Sequence, residues 1–186
     1  DRHTGITLMR MDKGLDTGAM LMKVSTTIGP EETTGELHDR LARIGAEAVV
    51  EAIPQLASGT LQGEPQNPEQ ATYAHKISRD EARLDWTQSA VSLHRKIRAF
   101  NPWPVATTLL GGKVLKIWSA QVDTTWRDRH APPGTLLPSG PGEILVACGD
   151  GALQLRRLQL PGGRPLASGE ILNGHATLFA TGSRLE

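Results

Sequence analysis

The sequence predicts an α+β protein of two parts, an α/β segment followed by a small β-barrel. Two apolar runs and one amphipathic helix pattern occupy the first 61 residues. After residue 73, a second helix pattern precedes five short runs of strand-forming residues, which Gly, Pro and Asp separate. The polar, proline-bearing stretch between the two parts has no periodicity and is typical of a linker. We therefore divide the chain into residues 1–61, a linker at 62–73 and a second domain at 74–186.

Composition favours a globular protein of the cytoplasm. The chain has 186 residues, of which 38% are apolar, and a single cysteine excludes an intramolecular disulfide. No apolar run reaches the roughly 18 residues that a membrane span needs, and no secretory leader is visible. The histidines lack paired ligand spacing, so we expect no metal.

Charge is distributed unevenly along the chain. Residues 1–70 carry six Lys or Arg against eleven Asp or Glu, whereas residues 71–186 carry fourteen against nine. A basic second half is expected of a protein that binds a polyanion, although chains of two domains also show such differences by chance.

The first segment has the pattern of a hairpin and one helix. Strands are predicted to begin at residues 6 and 19, with a Gly- and Asp-rich turn between them. Thr33 and Glu36 have the spacing of a capping box, and Pro54 is expected to kink or shorten the last turn of the helix. The apolar face of this helix comprises Leu37, Leu41, Ile44, Ala48 and Ile53. Because these elements are too few for a core, we expect the tail of a larger α/β domain, whose exposed edge favours self-association.

The second domain opens with a helix that we expect Thr87 to cap. Its apolar face comprises Ala90, Leu93, Ile97 and Phe100. Pro102 and Pro104 end the helix near Asn101, and Trp103 is expected to bury beneath the strands that follow. Arg95 and Arg98 lie on its other side, where they complement the helix C-terminus or contact phosphate.

Strands are predicted at residues 105–110, 113–122, 134–137, 143–148 and 152–160. Gly111 and Gly112 form the first turn, and Val114, Ile117 and Ala120 give the second strand its apolar alternation. Five short strands fit an OB-like barrel, which leaves few open edges. A short helix at residues 169–173, capped by Ser168, is expected to follow.

Three stretches of the second domain resemble a known family. IRAFNPWP at residues 97–104, YAHKIS at 73–78 and LDW at 84–86 resemble the C-terminal domain of the methionyl-tRNA formyltransferase family. The resemblance implies that residues 1–61 are a remnant of a Rossmann-like formyltransferase domain. It also implies that residues 74–186 are an OB-like domain that binds initiator methionyl-tRNA.

The turn DKGLDTG at residues 12–18 carries the one candidate catalytic residue, Asp16. Spacing alone favours a solvated turn. The resemblance implies instead that Asp16 acts with an Asn and a His that lie upstream of this chain. It also implies that Gly14, Leu15 and Asp16 line the site of the co-substrate, 10-formyltetrahydrofolate. Because that Asn and His are missing here, we expect the chain alone not to transfer formyl groups.

The resemblance further implies that basic residues of the second part hold the acceptor arm of the tRNA. The candidates are Lys76, Arg79, Arg95, Arg98, Lys113, Lys116, Arg127 and Arg129. Of the neighbours Arg156 and Arg157, only one is expected to face a given groove, because adjacent strand residues point to opposite faces. Among the tryptophans, Trp126 is the candidate for stacking on a base, and the others are expected in the core.

Two other functions remain open. A sugar-nucleotide formyltransferase shares the DTG turn, although the stretches quoted above resemble the tRNA enzymes more closely. A stand-alone OB module that binds nucleic acid would fit the basic half, but it would have no evident use for Asp16 in such a turn.

Overall fold

The computed structural model of the chain describes residues 1–126 and 130–186. These residues form two compact units, Asp1–Lys76 and Ile77–Glu186, and we describe each by itself. The chain is a mixed α and β protein, as predicted. The exact division at residues 61 and 73 and the Rossmann-like ancestry of the first part stay predictions.

The first unit consists of an antiparallel hairpin and a long helix. β1 (His3–Met9) pairs with β2 (Met20–Thr27), and α1 (Thr34–Ala57) packs on the hairpin. Thr33 caps α1 with the predicted capping box, in which its hydroxyl accepts from Glu36 N and the Glu36 carboxylate accepts from Thr33 N.

Small side chains place α1 close to the hairpin. Ala48 and Ala52 are its buried residues, and a Cβ on Gly45 would lie 3.8 Å from Ile6. Ile53, predicted on this face, is 57% exposed, because the closest approach runs through the alanines instead. The helix also continues through Pro54 and ends at Ala57. Proline lacks the N–H of one helical hydrogen bond, and Pro54 lies so close to the end of the helix that few hydrogen bonds follow the missing one.

An ion pair joins α1 to the loop that follows β2, and the same arginine also bonds the end of that strand. Arg40 contacts both carboxylate oxygens of Glu32, at 2.9 and 2.6 Å, and also donates to Thr26 Oγ1 and to Thr27 O. The hydrogen bonds from Arg40 and, secondarily, from the Gly29 backbone lower the pKa of Glu32. This pair fixes the direction in which the chain leaves β2 and enters the helix.

The second unit is an antiparallel sheet with two helices. Its strands are β3 (Ala106–Leu110), β4 (Lys113–Asp123), β5 (Leu136–Leu137), β6 (Ile144–Ala147), β7 (Ala152–Gln159) and β8 (Leu166–Ala167). The order is β3-β4-β7-β6-β5, and β8 pairs with β7. The five predicted strands are therefore confirmed, whereas the short β8 was missed and the OB-like barrel stays a prediction.

The C-terminal segment pairs with both ends of this strand order. Leu109 and Glu186 exchange backbone hydrogen bonds at 2.9 and 3.0 Å. On its other side the segment reaches β5, because Leu185 N donates to Gly134 O and Leu136 N donates to Ser183 O, each at 2.8 Å. The free edges of β3 and β5 are thus both covered by the last residues of the chain.

Helix α2 (Ala90–Ala99) packs on β4 and contributes Leu93 and Ile97 to the core. Its cap is Ser89, whose hydroxyl accepts from Ser92 N, and the predicted cap Thr87 is wrong. The Thr87 hydroxyl instead donates to the Asp85 carboxylate at 2.6 Å, within the turn that precedes the helix.

Four further expectations, two about packing and two about the last helix, are wrong. Trp103 is 55% exposed rather than buried beneath the hairpin. Val114 is exposed, and Leu115 takes the inner position beside Ile117. The last helix, α3 (Ser168–His175), is longer than predicted, and Ser168 does not cap it because its hydroxyl donates to Leu155 O at 2.6 Å.

Two register shifts between β4 and β7 change which side chains face outward. The partners move from Ile117 and Leu158 to Ser119 and Arg157 and then to Ala120 and Leu155. Arg156 is skipped, so Arg156 and Arg157 are both exposed between two buried leucines. Simple alternation of buried and exposed residues therefore does not hold at this point of β7, and whether one groove receives only one of the two arginines stays a prediction.

A buried threonine connects three parts of the second unit. Thr108 on β3 is 1% exposed, and its hydroxyl accepts from Trp86 Nε1 at 2.9 Å and donates to Glu186 O at 2.8 Å. One side chain therefore satisfies a buried indole N–H and a carbonyl of the terminal segment.

We expect Thr108→Val to destabilise the second unit by about 1–3 kcal/mol, because it leaves the indole N–H and the terminal carbonyl without this partner at unchanged side-chain volume. All four tryptophans lie in this unit, so tryptophan fluorescence during urea unfolding measures its stability. Thr107→Val, at the half-buried neighbour on the other face, is the control, with an expected change of about 0.5 kcal/mol or less. Equal losses in the two variants would contradict the role of the Thr108 hydroxyl.

Candidate functional site

The loop between β1 and β2 carries Asp16 in an unusual conformation. Asp16 has φ 52°, a left-handed value that few residues other than glycine adopt. Residues 12–17 are exposed, and the side chain of Leu15 is 75% exposed. The loop therefore presents a carboxylate beside an apolar side chain.

A glutamine from the predicted linker holds this loop. Gln66 Nε2 donates to Asp16 O at 2.6 Å and to Gly18 O at 2.8 Å. At the base of the loop, Arg10 N donates to Ala19 O at 2.9 Å, and a Cβ on Gly18 would lie 1.7 Å from Arg10 O. Only glycine fits at position 18, so the backbone around Asp16 is set by close packing and by Gln66.

The segment that contains Gln66 also pairs with the β1–β2 hairpin through its backbone. Met20 and Glu64 exchange backbone hydrogen bonds, both at 2.8 Å, and Lys23 Nζ lies 2.6 Å from the Glu64 carboxylate. Composition predicted a free linker here, and no sequence signal marked Gln66 as a support for the loop.

Basic residues gather at the start of β3 in the second unit. Arg79 and Arg83 line a groove of about 320 Å³ together with Asp80, Thr107 and Val114. Lys116 lies opposite Thr107 in the β3–β4 ladder. We call Arg79, Arg83 and Lys116 the basic patch.

Backbone pairing holds Arg83 in the basic patch. Arg83 forms an isolated parallel β-bridge with Thr107, and Leu84 N donates to Thr107 O at 2.8 Å. Lys96 on α2 donates to Arg83 O, also at 2.8 Å. Arg83 lies in a stretch without periodicity, so only this long-range pairing reveals it as a neighbour of Lys116.

The other predicted basic residues are dispersed. Arg95 is exposed on α2, Arg98 is half-buried, and Lys113 is exposed directly after the Gly111-Gly112 turn. Lys76 is exposed and belongs to the first unit. Arg127 and Arg129 lie outside the described residues.

Most tryptophans pack rather than offer a free face. Trp86 is 4% exposed, and Trp118 is half-buried and donates to Gln159 Oε1 at 2.9 Å. Trp126, the predicted stacking residue, is half-buried against a small apolar cluster that includes Leu137. Trp103 is instead the tryptophan with an exposed ring.

Two other kinds of chemistry receive no support from the described part of the chain. Among residues 1–126 and 130–186, no three His, Cys, Asp or Glu side chains lie close enough together to hold a metal ion. Cys148 is buried as expected, and burial raises the pKa of its thiol to about 12, so it is a poor nucleophile at neutral pH.

No helix in the described ranges is both long and apolar enough to cross a membrane.

Comparison with protein families gives two matches. Residues 76–176 match the family described as formyl transferase, C-terminal domain, and residues 1–53 match the family described as formyl transferase. The methionyl-tRNA formyltransferase of Stutzerimonas stutzeri (strain A1501) is 53% identical over 182 residues. That alignment covers 98% of this chain, which spans 57% of the length of the relative.

Solved structures agree on the fold. HypX from Aquifex aeolicus in complex with tetrahydrofolic acid matches with a TM-score of 0.70 and 20% identity, over 92% of this chain and 30% of that one. An N-formyltransferase from Helicobacter canadensis, in complex with folinic acid and dTDP-3-aminofucose, matches with a TM-score of 0.61 and 17% identity, over 83% and 55% of the two chains. At these identities the likeness concerns the fold alone.

We expect Gln66→Ala to release the Asp16 loop, because two hydrogen bonds to its backbone are lost. Trypsin cleavage after the exposed Lys13, followed by mass spectrometry, should become roughly tenfold faster. Gln62→Ala changes an exposed glutamine of the same segment and should leave the rate unchanged. Equal cleavage rates in the Gln66 variant and the unmodified chain would show that the loop does not depend on this side chain.

Proposed function

Because this chain belongs to the formyl transferase family, we propose that it is part of an enzyme that moves a formyl group from 10-formyltetrahydrofolate to the amino group of methionyl initiator tRNA. The observation that carries the proposal is 53% identity to a methionyl-tRNA formyltransferase across 98% of the chain. The structural likeness to a sugar N-formyltransferase rests on 17% identity and supports the shared fold only. We propose the cytoplasm as the location, as composition suggests.

In this proposal the Asp16 loop forms part of the folate site. Its exposed Leu15 side chain suits contact with a flat ring, and the exposed backbone at Gly14 can approach a ligand closely. A solved relative in fold has tetrahydrofolic acid bound. We therefore assign Gly14, Leu15 and Asp16 to the folate-binding surface.

Asp16 would serve the proton transfer. When an amine attacks a formyl carbonyl, its nitrogen loses a proton while the carbonyl oxygen gains negative charge. A carboxylate can accept that proton or orient a neighbouring base, but it cannot stabilise the oxygen, which needs hydrogen-bond donors. Asp16 is thus one member of a site that requires further residues, in line with a chain that spans 57% of its relative.

The basic patch would hold the RNA backbone. Arg79 and Arg83 line one groove of the second unit with Thr107, and Lys116 lies opposite Thr107 in the β3–β4 ladder. These cations outnumber the one carboxylate among the described residues of the groove, Asp80, and a surplus of positive charge suits contact with phosphates. Such contacts position an RNA without reading its sequence. Lys76, Arg95, Arg98, Lys113, Arg127 and Arg129 remain candidates for additional phosphate contacts.

We expect Asp16→Asn to reduce formyl transfer by about 100-fold or more, because the amide cannot accept a proton. The assay uses a chimera in which this chain replaces the matching part of the Stutzerimonas stutzeri relative, and it measures formylation of methionyl-tRNA. The chain alone should show no turnover. Asp12→Asn, in the same loop, is the control with the same loss of charge. Unchanged activity of the Asp16 variant would remove it from the catalytic site.

We expect Arg83→Glu to weaken initiator tRNA binding by about tenfold and to lower the salt dependence by about one phosphate contact. Fluorescence anisotropy of labelled tRNA at two salt concentrations measures both quantities. Arg2→Glu makes the same charge change at an exposed site of the first unit and serves as the control. An amino-sugar nucleotide is tested as the competing ligand, and its binding in the absence of tRNA binding would favour the sugar-modifying alternative.

A further inference from the structure

A second groove of the C-terminal unit has a basic rim and an apolar floor. It has a volume of about 420 Å³, within the range of sites that hold small molecules or single building blocks of a polymer. Lys113, Arg164 and His175 line it, and within residues 1–126 and 130–186 no Asp or Glu does. Leu160, Leu166 and Ile171 also line it, and Leu178 is a large apolar lining residue that is 43% exposed. We call this the Arg164 groove.

The three polar side chains of the rim are available to a ligand. In the part of the chain that the structure describes, none of Lys113, Arg164 and His175 has a side-chain hydrogen bond or an ion pair. An apolar surface beside the cations of Lys113 and Arg164 is suited to an anion carried on a flat or apolar body.

The backbone that presents Arg164 is held in place. Gln159 accepts from Trp118 Nε1 at 2.9 Å and donates to Gly163 O at 2.8 Å. Gly163 N donates to Leu160 O at 3.0 Å, which closes the turn before Arg164. A turn fixed from two sides loses little freedom when a ligand binds.

The Arg164 groove adjoins the basic patch through one strand. Lys113, at the start of β4, lines the Arg164 groove, whereas its neighbour Val114 lines the groove of Arg79 and Arg83. Adjacent strand residues point to opposite faces, so the β3–β4 hairpin separates the two grooves. Lys116 of the patch lies three residues along β4 from Lys113, about 10 Å away.

We propose that the Arg164 groove binds an unpaired nucleotide of an RNA whose backbone lies on the basic patch. The phosphate of that nucleotide contacts Lys113 and Arg164, and its base lies on the leucines with His175 at its edge. This inference rests on the proposed function, because the patch must hold RNA for the groove to receive part of it. It adds a preference for single-stranded nucleotides that phosphate contacts alone do not produce.

The test compares two RNA hairpins, one with a blunt stem and one with a short run of unpaired adenosines beside the same stem. Fluorescence anisotropy should show that the unmodified chain binds the extended hairpin about tenfold more tightly. Arg164→Glu and Leu178→Ser should each bring the two affinities close together while blunt-stem binding is kept. Arg157→Glu, at an exposed arginine of the same sheet outside the groove, should retain the preference.

Separate outcomes distinguish this inference from the proposed function. Arg83→Glu should weaken both hairpins alike and leave their ratio unchanged. If the unmodified chain binds both hairpins equally, or if the preference survives Arg164→Glu and Leu178→Ser, the groove proposal is wrong while RNA binding stands. If neither hairpin binds, both the RNA-binding role and the groove proposal fail.

Discussion

The hydrogen-bonding groups along the open edge of β3 must find partners, and the second unit is arranged around this requirement. The segment at Arg83 and Leu84 covers the start of that edge, and the terminal residues Leu185 and Glu186 cover its end. The Thr108 hydroxyl joins this arrangement to Trp86 inside the core. An uncovered edge favours pairing with another chain, so these contacts both stabilise the unit and protect its edge from such pairing.

The same coverage brings basic residues to both sides of β3. Backbone pairing places Arg83 beside Thr107 at the edge of β3, and the β3–β4 ladder places Lys116 beside Thr107 on the other side of the strand. The start of β4 then separates the basic patch from the Arg164 groove, because Lys113 and Val114 line different grooves. Backbone hydrogen bonds of the sheet therefore position the residues that carry these cations, so that their placement does not depend on the side-chain conformations alone.

The first unit holds its β1–β2 loop in a different way. The Asp16 loop has little burial, so it cannot be fixed by an apolar core, and Gln66 binds its carbonyls from a segment fifty residues away in sequence. A left-handed aspartate is tolerated because the surrounding backbone determines it. The backbone of this loop is therefore restrained although its side chains are exposed to solvent.

Local patterns in the sequence determined the elements, and tertiary structure decided how they are used. Three local features could be predicted, because each depends on interactions within a few residues. They are the capping box of Thr33 and Glu36, the glycine turn before Lys113 and the end of α2 just before its prolines. The Asp16 turn was likewise visible from its motif. The role of Gln66, the place of Arg83 and the exposure of both Arg156 and Arg157 could not be predicted, because they depend on pairing between distant segments and on register shifts between strands. Such pairing is selected by the packing of the whole unit, which no local pattern contains.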